Sequence, residues 1–261
     1  MFFGNDVRDI DTGILGKRVR ADAKKVPGNA KKSARGAEKE IGIALSKSGI
    51  KVDFSSTETV TAYLAENKSY YGMLLCAIDR NKIQMHSPEK RPYNFSGTVN
   101  AELSKAFVNL ARTTSGEIAD PFCGSGAFLI EAGAMGLSVF GCDTSKKHFY
   151  GAMRNLRHFG IRKFDVRLMD ALLIREVGRQ FDGIVTDLPW GRNTRSRYYN
   201  KNELYRKFMK MLPEILKKGR YAVISCDMDE LWHPQELRLE GKFELLLRKS
   251  LKRHVWVFKR I

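Results

Sequence analysis

Several features that would define other classes of protein are scarce or missing in this chain of 261 residues. The four cysteines are scattered as Cys76, Cys123, Cys142 and Cys226, so we expect buried free thiols and a reducing cytoplasm rather than a disulfide framework. The five histidines are dispersed, and none has metal-ligand spacing with a carboxylate or thiolate. No apolar run reaches membrane length, and the opening residues lack the apolar segment of a signal peptide. We therefore predict a cytoplasmic protein that binds neither membrane nor metal.

Acidic residues are also in short supply, with 29 Asp and Glu against 46 Lys and Arg, a formal net charge of +17. A polyanionic substrate explains this excess better than a small molecule does, because cation–phosphate contacts release counterions and supply affinity. General solubility is the alternative. One cluster of basic residues directly follows a turn described below, and Tyr198 and Tyr199 stand within it. Basic and aromatic side chains in this pattern are typical of RNA binding. The candidate RNA-binding residues are Arg192, Arg195, Arg197 and Tyr198.

The segment 117–126 is typical of a strand that ends at a ligand-binding turn. A short apolar strand ends at Asp120, and Gly124-Ser125-Gly126 leads into a helix predicted over 127–135. Ligands in open α/β sheets lie beyond the carboxyl ends of strands, and glycines allow close approach to the backbone. An ordinary strand–helix turn has the same pattern. A dinucleotide site would need a third glycine where Leu129 stands, and the Gly-Lys-Ser/Thr of a P-loop is absent.

Two aspartates at later strand ends indicate which cofactor this turn serves. Asp143 ends a strand predicted over 138–142, where a carboxylate can accept both ribose hydroxyls, although it could also be a helix N-cap. Asp170 follows a strand predicted over 165–168, where it can accept an adenine amino group or stand in a solvated loop. Together with the glycine turn they predict S-adenosylmethionine. The candidate cofactor residues here are Asp120, Phe122, Gly124, Gly126, Asp143, Asp170 and Ala171.

The chemistry is predicted at a further strand end. A strand over 181–186 is followed directly by Asp187, Leu188, Pro189 and Trp190. An exocyclic amine on a flat base is a poor nucleophile, because its lone pair is delocalised into the ring. The Asp187 carboxylate and the Leu188 carbonyl could hold its hydrogens and aim the lone pair, Pro189 stiffens the turn, and Trp190 offers a stacking face. We take these four residues as catalytic candidates, the alternative being a strand-ending turn with a core tryptophan.

Periodicity divides the chain into a small and a large domain. A loop over 24–34, a helix over 37–48 and strands over 60–64 and 70–78 predict a small α+β module at 1–89. The segment 86–93, with two prolines, is the predicted linker. Strands and helices then alternate over 90–261, as in a parallel α/β sheet. Segments 243–247 and 254–258 flank a basic turn and predict a terminal hairpin.

These motifs resemble those of the archaeal tRNA guanosine-10 N2-methyltransferases. The resemblance rests on Asp120-Pro-Phe-Cys-Gly-Ser-Gly, Gly141-Cys-Asp, the helix beginning Gly151-Ala-Met-Arg-Asn, and Thr186-Asp-Leu-Pro-Trp-Gly, together with the lead-in segment 91–112. It implies a Rossmann-like α/β fold that uses S-adenosylmethionine, with a parallel sheet, a C-terminal antiparallel hairpin and a THUMP-like RNA-binding module at the N-terminus. The lead-in segment, which includes Thr98, would line the methionine end of the cofactor.

The chain departs from the family at two points. The family usually has Asp-Pro-Pro-Tyr where this chain has Asp187-Leu188-Pro189-Trp190, which keeps the carbonyl acceptor and the stacking ring but loosens the turn. The family also carries a longer N-terminal region before its catalytic part. The chemistry is therefore better supported than tight docking of tRNA.

The predicted function is S-adenosylmethionine-dependent N2-methylation of a guanosine in tRNA, at position 10 by family analogy, with one or two methyl groups added. A carboxylate accepts from the adjacent N1–H and N2–H donors of guanine, but enzymes acting on adenine also use an aspartate here. An adenine-N6 methyltransferase acting on DNA or ribosomal RNA is thus one alternative. A catalytically idle RNA-binding protein with this fold is another. We expect a monomer whose partner is tRNA.

Overall fold

The computed structural model describes residues 1–26, 30–76, 78–190, 200–248 and 251–261. They form two units, Met1–Ile78 and Asp79–Ile261. The segment predicted as a linker at 86–93 lies within the second unit. Arg91 of this segment is buried, and His86 contacts the buried Glu131. These contacts across the second unit, rather than the local prolines, determine where the segment lies.

The first unit is a five-stranded sheet of mixed direction covered by one helix, counted among the described residues. The elements are β1 (Phe2–Gly4), β2 (Arg18–Lys25), α1 (Ala34–Lys47), β3 (Lys51–Val52), β4 (Thr59–Ala65) and β5 (Lys68–Met73). The sheet order is β1-β5-β4-β2-β3. Strand β2 runs parallel to both β3 and β4, whereas β5 runs antiparallel to β4. Helix α1 packs its buried face, including Ile41 and Leu45, on Val19 and Val60.

The strand β2 was not predicted, and the predicted loop over 24–34 was wrong at its start. Every second residue of β2 points into the core, namely Val19, Ala21 and Ala23. Two of these are alanines, so the alternation of apolar and polar residues is too weak to stand out from the surrounding lysines and arginines. Pairing with β4 therefore decides the conformation of this segment.

The second unit carries a seven-stranded sheet in the part of the chain that the structure describes. The elements are α2 (Arg80–Gln84), α3 (Ala101–Leu110), β6 (Glu117–Asp120), α4 (Ala127–Ala134), β7 (Ser138–Asp143), α5 (Lys146–His158), β8 (Phe164–Leu168), β9 (Phe181–Asp187), α6 (Lys201–Ile215), β10 (Leu216–Cys226), β11 (Leu237–Arg248) and β12 (Leu251–Arg260). The sheet order is β11-β12-β10-β9-β6-β7-β8, parallel from β10 to β8, with β12 antiparallel to both β10 and β11. The predicted Rossmann-like fold with a terminal antiparallel hairpin is confirmed.

The two faces of this sheet are covered by different helices. Phe140, Ile184 and Phe258 belong to the core that includes α6. Their chain neighbours Val139, Val185 and Val257 belong to the core that includes α3 and α4. Successive residues of a strand point to opposite faces, so these central strands are apolar throughout, as a sheet buried on both faces requires.

The strand order fixes where a ligand can bind. From β6 the chain runs outward to β7 and β8, and then returns to β9 on the other side of β6. In open α/β sheets the crevice at such a reversal, beyond the carboxyl ends of the strands, is the usual ligand site. The strands that meet there end at Asp120, Asp143 and Asp187, so the fold brings three of the predicted site residues to one edge. Among the described helices, none is long and apolar enough to cross a membrane.

Candidate active site

The glycine turn after β6 depends on backbone conformations that other residues rarely adopt. Gly124 and Gly126 have φ angles of 52° and 81°, in the left-handed region that favours glycine. The turn closes through a hydrogen bond of 2.7 Å from Gly126 N to the Cys123 carbonyl, and Cys123 N donates to the Cys142 carbonyl at 3.0 Å. Helix α4 then begins at Ala127. The turn is thus anchored to β7 and presents main chain at the ligand edge.

Asp120 lies beneath this turn and joins two strand ends. Its carboxylate Oδ1 accepts from Thr186 Oγ1 at 2.7 Å and from Phe122 N at 3.1 Å. Burial raises the pKa of Asp120 to about 7, while these two hydrogen bonds lower it. The residue is 1% exposed, so its position is suited to bracing β6 against β9 rather than to reaching solvent. Phe122 of the same turn packs edge-on against Phe208.

Asp143 lies at the end of β7 and is held by main-chain donors. Gly124 N donates to its Oδ2 at 3.1 Å and Ser145 N to its Oδ1 at 2.8 Å. His148 Nδ1 lies 3.2 Å from Oδ2. The N-cap of α5 is Ser145, so the alternative that Asp143 caps this helix was wrong. A carboxylate fixed in this way next to the glycine turn can accept hydroxyl donors of a ligand.

Asp170 and Ala171 follow β8 at the neighbouring strand end. Asp170 accepts a hydrogen bond of 2.9 Å from Leu172 N and caps the helical turn Ala171–Val177. Ala171 is 2% exposed and belongs to the core beside α6. The carboxylate of Asp170 is therefore a positioned acceptor, whereas the side chain of Ala171 packs inward.

The lead-in segment before α3 lies against the glycine turn. Thr98 Oγ1 is 3.1 Å from Ser125 Oγ. The Phe95 ring stacks on His148 with centroids 4.6 Å apart, and it lies so close to Gly124 that an added Cβ there would come within 3.1 Å of it. Asn155 bonds both to the Tyr93 main chain, at 2.9 and 2.8 Å, and to the Ser125 carbonyl, at 2.9 Å. Asn155 thus fixes the lead-in segment to the turn.

Sequence reasoning missed Phe95, His148 and Asn155. Asn155 is fully buried, which is unusual for an amide unless it is hydrogen-bonded. The signal available in the sequence was Gly151 on the same helix, where an added Cβ would lie 2.0 Å from the Tyr93 ring. A glycine inside an otherwise regular helix often marks close packing of this kind.

Asp187 is the centre of a second hydrogen-bonded cluster, made of side chains. Its Oδ1 accepts from Ser225 Oγ at 2.7 Å and from Trp190 Nε1 at 3.3 Å. Its Oδ2 lies 3.2 Å from Arg253 Nη1. Burial raises the pKa of Asp187, and the Arg253 charge and the two hydrogen bonds oppose that rise. With its side chain 19% exposed, the carboxylate can meet a ligand at the pocket edge.

The main chain after Asp187 is held from two sides. Leu188 N donates to the Ser225 carbonyl at 2.8 Å, and the Leu188 side chain is fully buried. Tyr205 Oη donates to the Pro189 carbonyl at 3.0 Å. Leucine in place of the family's proline therefore adds an amide hydrogen bond to β10, which compensates for the lost rigidity of the turn.

Trp190 is half-buried, and the Arg253 guanidinium lies 5.1 Å from its ring centroid. It is therefore not the core tryptophan of the alternative interpretation. The residues missed around this cluster are Thr186, Tyr205, Ser225 and Arg253. The candidate RNA-binding residues Arg192, Arg195, Arg197 and Tyr198 lie outside the described residues.

The fold is that of a methyltransferase, and comparison with known proteins agrees. Residues 88–238 match the model of the RMKL-like methyltransferase domain. The chain is 30% identical to the tRNA (guanine(10)-N2)-dimethyltransferase of Pyrococcus abyssi, a match that covers 97% of this chain and 80% of that one. It is 34% identical to the protein of the same name from Methanocaldococcus jannaschii, over 86% of this chain and 64% of that one.

This chain belongs to the family of the archaeal tRNA (guanine(10)-N2)-dimethyltransferases, as its motifs predicted. Among solved structures it resembles TrmN from Thermus thermophilus, with a TM-score of 0.58 and 18% identity over 100% of this chain and 81% of that one. At that identity the likeness supports the fold alone.

Proposed function

We propose that the protein transfers a methyl group from S-adenosylmethionine to N2 of a guanosine in tRNA. The observation that carries the proposal is the Asp187 carboxylate. It lies at the reversal of strand order, ion-paired with Arg253, on the turn after β9 and next to the strand that ends in the glycine turn. Family membership supports the reaction class, and the strand-end aspartates support a site for the amine beside a site for a nucleoside-bearing cofactor.

The residues of the first cluster fit S-adenosylmethionine. Asp143 would accept the ribose hydroxyls, Asp170 the adenine amino group, and the main chain of the glycine turn with Thr98 would hold the methionine end. When bound, the cofactor supplies a methyl group activated by a sulfonium. The resemblance of the motifs and the fold both support this assignment, and the carboxylates already have the main-chain contacts that keep them oriented.

Asp187 would align the target amine. A carboxylate is an acceptor only, so it matches the adjacent N1–H and N2–H donors of guanine. The hydrogen bonds that Ser225 and Trp190 donate to Oδ1, together with Arg253 beside Oδ2, oppose the rise in the pKa of Asp187 that burial causes, and they fix the orientation of the carboxylate. Alignment of this kind contributes several kcal/mol. The proton released from N2 then passes to Asp187 or to water.

Trp190 would stack on the base. The target base must leave its stack to reach the site, and a half-buried ring at the pocket edge offers a surface for it. The Arg253 charge near that ring strengthens the ring's position through a cation–π contact.

The tRNA itself would be held by two further regions. We assign the basic segment with Arg192, Arg195, Arg197 and Tyr198 to contacts with RNA phosphates and flanking bases. We assign a THUMP-like role in RNA binding to the small N-terminal unit. Replacing the three arginines with alanine should flatten the slope of log affinity against log salt by up to about two units. Filter binding of tRNA over a range of salt measures this slope, and an unchanged slope would remove the segment from the interface.

The test of the function is nucleoside mass spectrometry. Unmodified tRNA incubated with the protein and isotope-labelled S-adenosylmethionine should gain label in N2-methylguanosine, N2,N2-dimethylguanosine or both. Replacing guanosine 10 by adenosine should remove the label, because the relatives are named for that position. Label in N6-methyladenosine would instead establish the adenine alternative. Absence of label, with intact tRNA binding, would instead favour a catalytically idle RNA-binding protein with this fold.

A further inference from the structure

Arg253 holds hydrogen-bond donors at the site that the surrounding protein does not use. It extends from β12, which lies beside β10 in the sheet, and its side chain is 8% exposed. Nη1 is 3.2 Å from Asp187 Oδ2. Within the described residues, however, Nε and Nη1 are buried and donate no hydrogen bond. The contact with Asp187 is thus an ion pair that leaves donors unsatisfied.

Unsatisfied buried donors carry a free-energy cost that a ligand can remove. Leaving such a donor without an acceptor costs about 1–3 kcal/mol, and more for a charged group. Ser225 and Trp190 already occupy Oδ1 of Asp187, so the guanidinium and Oδ2 form the remaining edge of the cluster. That edge presents a partly exposed carboxylate acceptor with a buried cationic donor next to it.

The Watson–Crick edge of guanine carries the matching sequence of groups. N2–H and N1–H are donors, and O6, next to N1, is an acceptor. With N2–H and N1–H both facing Oδ2 of Asp187, O6 faces the neighbouring donor. Adenine in the same place would turn the N1 lone pair toward the carboxylate, so two acceptors would oppose each other.

We propose that Arg253 donates a hydrogen bond to O6 of the target guanine and, with Asp187, makes the site selective for guanine. This inference rests on the proposed function and adds to it a specificity-determining residue. If Arg253 acted only as a counter-ion to Asp187, the oxygen or sulfur at position 6 of the base would not affect the rate of methylation. The two roles therefore differ in a measurable way.

The experiment compares two tRNA substrates that differ at one atom. One carries guanosine at the target position, and the other carries 6-thioguanosine, which keeps N1–H and the N2 amine but replaces O6 with a weaker acceptor. We expect the wild-type protein to favour guanosine by about tenfold in kcat/KM, at the lower end of the range for a hydrogen bond to a charged group. In Arg253→Met, which keeps the volume and removes the donors, activity on both substrates falls and the preference disappears.

Two further variants keep the result interpretable. Arg238→Met removes an exposed arginine of β11 that pairs with Glu240, and it should retain the full preference for guanosine. Arg253→Lys keeps the charge but loses the planar set of donors, so it should show a smaller preference than the wild type. It also serves if the methionine variant does not fold, which calorimetric binding of S-adenosylmethionine would reveal.

The outcomes separate this proposal from the proposed function. No methylation of guanosine in tRNA by the wild-type protein would overturn the function itself. Methylation with equal kcat/KM for both substrates would overturn the role of Arg253 while leaving the function standing. An unchanged preference in Arg253→Met or in Arg253→Lys would do the same, because a counter-ion affects both substrates equally.

Discussion

Two aspartates, Asp143 and Asp187, end parallel strands of the same sheet, yet they are held by different kinds of contact. Asp143 receives hydrogen bonds from the main chain of Gly124 and Ser145. Asp187 is surrounded by the side chains of Ser225, Trp190 and Arg253. Main-chain donors come with the turn conformation and depend little on which side chains flank it. Side-chain donors depend on specific residues, so a single substitution can disrupt the contacts of Asp187 more easily than those of Asp143.

Substitution of Asp187 gives the most direct test of the difference between the two aspartates. Asp187→Asn keeps the volume but replaces one acceptor oxygen with a donor, so the amine loses its alignment. We expect turnover to fall by more than about 10³-fold, about 4 kcal/mol of barrier, with affinity for S-adenosylmethionine unchanged by calorimetry. Asp229→Asn, an exposed carboxylate near the end of β10, is the matched control and should keep its activity. Retention of more than a tenth of the turnover in Asp187→Asn would show that another group aligns the amine.

On the cofactor side, Asp143→Ala should reduce affinity rather than turnover. Losing hydrogen bonds from a charged acceptor costs about 1.5–3 kcal/mol, roughly ten- to a hundredfold in the dissociation constant for S-adenosylmethionine. Calorimetry measures that constant, and turnover at saturating cofactor should stay near the wild-type value. Equal affinities of variant and wild type would remove Asp143 from the cofactor site.

Two substitutions of Trp190 distinguish stacking of its ring on the base from packing of the ring within the protein. Trp190→Ala should weaken engagement of the tRNA by about 1–3 kcal/mol, because the base loses its stacking surface. Trp190→Tyr restores the residue usual in the family and keeps a stacking ring, but it loses the Nε1 bond to Asp187, so it should be much less damaging than alanine. The measurement is KM for tRNA together with the melting temperature of each variant. If tyrosine is as damaging as alanine, the indole contributes through its hydrogen bond to Asp187 or through packing.

Of these variants, Ser225→Ala should show the smallest loss of kcat/KM, together with a shift in the pH dependence of activity. The hydroxyl donates to Asp187 and lowers its pKa against the rise caused by burial. Its removal should therefore raise the pKa of Asp187. On acidification the carboxylate then becomes protonated at a higher pH, and activity falls there. We expect about a fivefold loss of kcat/KM at neutral pH, about 1 kcal/mol, and an acidic limb displaced to higher pH. A limb at the wild-type position would mean that Ser225 does not influence the carboxylate.

The same contrast explains what could be predicted from the sequence. The glycine turn, the strand-end aspartates and the terminal hairpin were predictable, because each depends on residues that are close together in the chain. Ser225 and Arg253 were not, because they reach Asp187 through the pairing of β10 with β9 and of β12 with β10. Ser225 is 38 residues from Asp187, and a lone serine in an apolar strand has no local signature. Strand β2 was missed for the related reason that pairing, rather than its own weak alternation, determines it.

The position of β12 between β10 and β11 has a consequence for synthesis on the ribosome. The chain emerges in order, so the glycine turn and the Asp187 turn are complete while Arg253 is still being made. Until β12 inserts, β10 has an open edge that invites pairing with other chains. Asp187 meanwhile lacks its positive neighbour. Nascent chains that stop before β12 should therefore be prone to aggregation, and their Asp187 should lack its ion-pair partner.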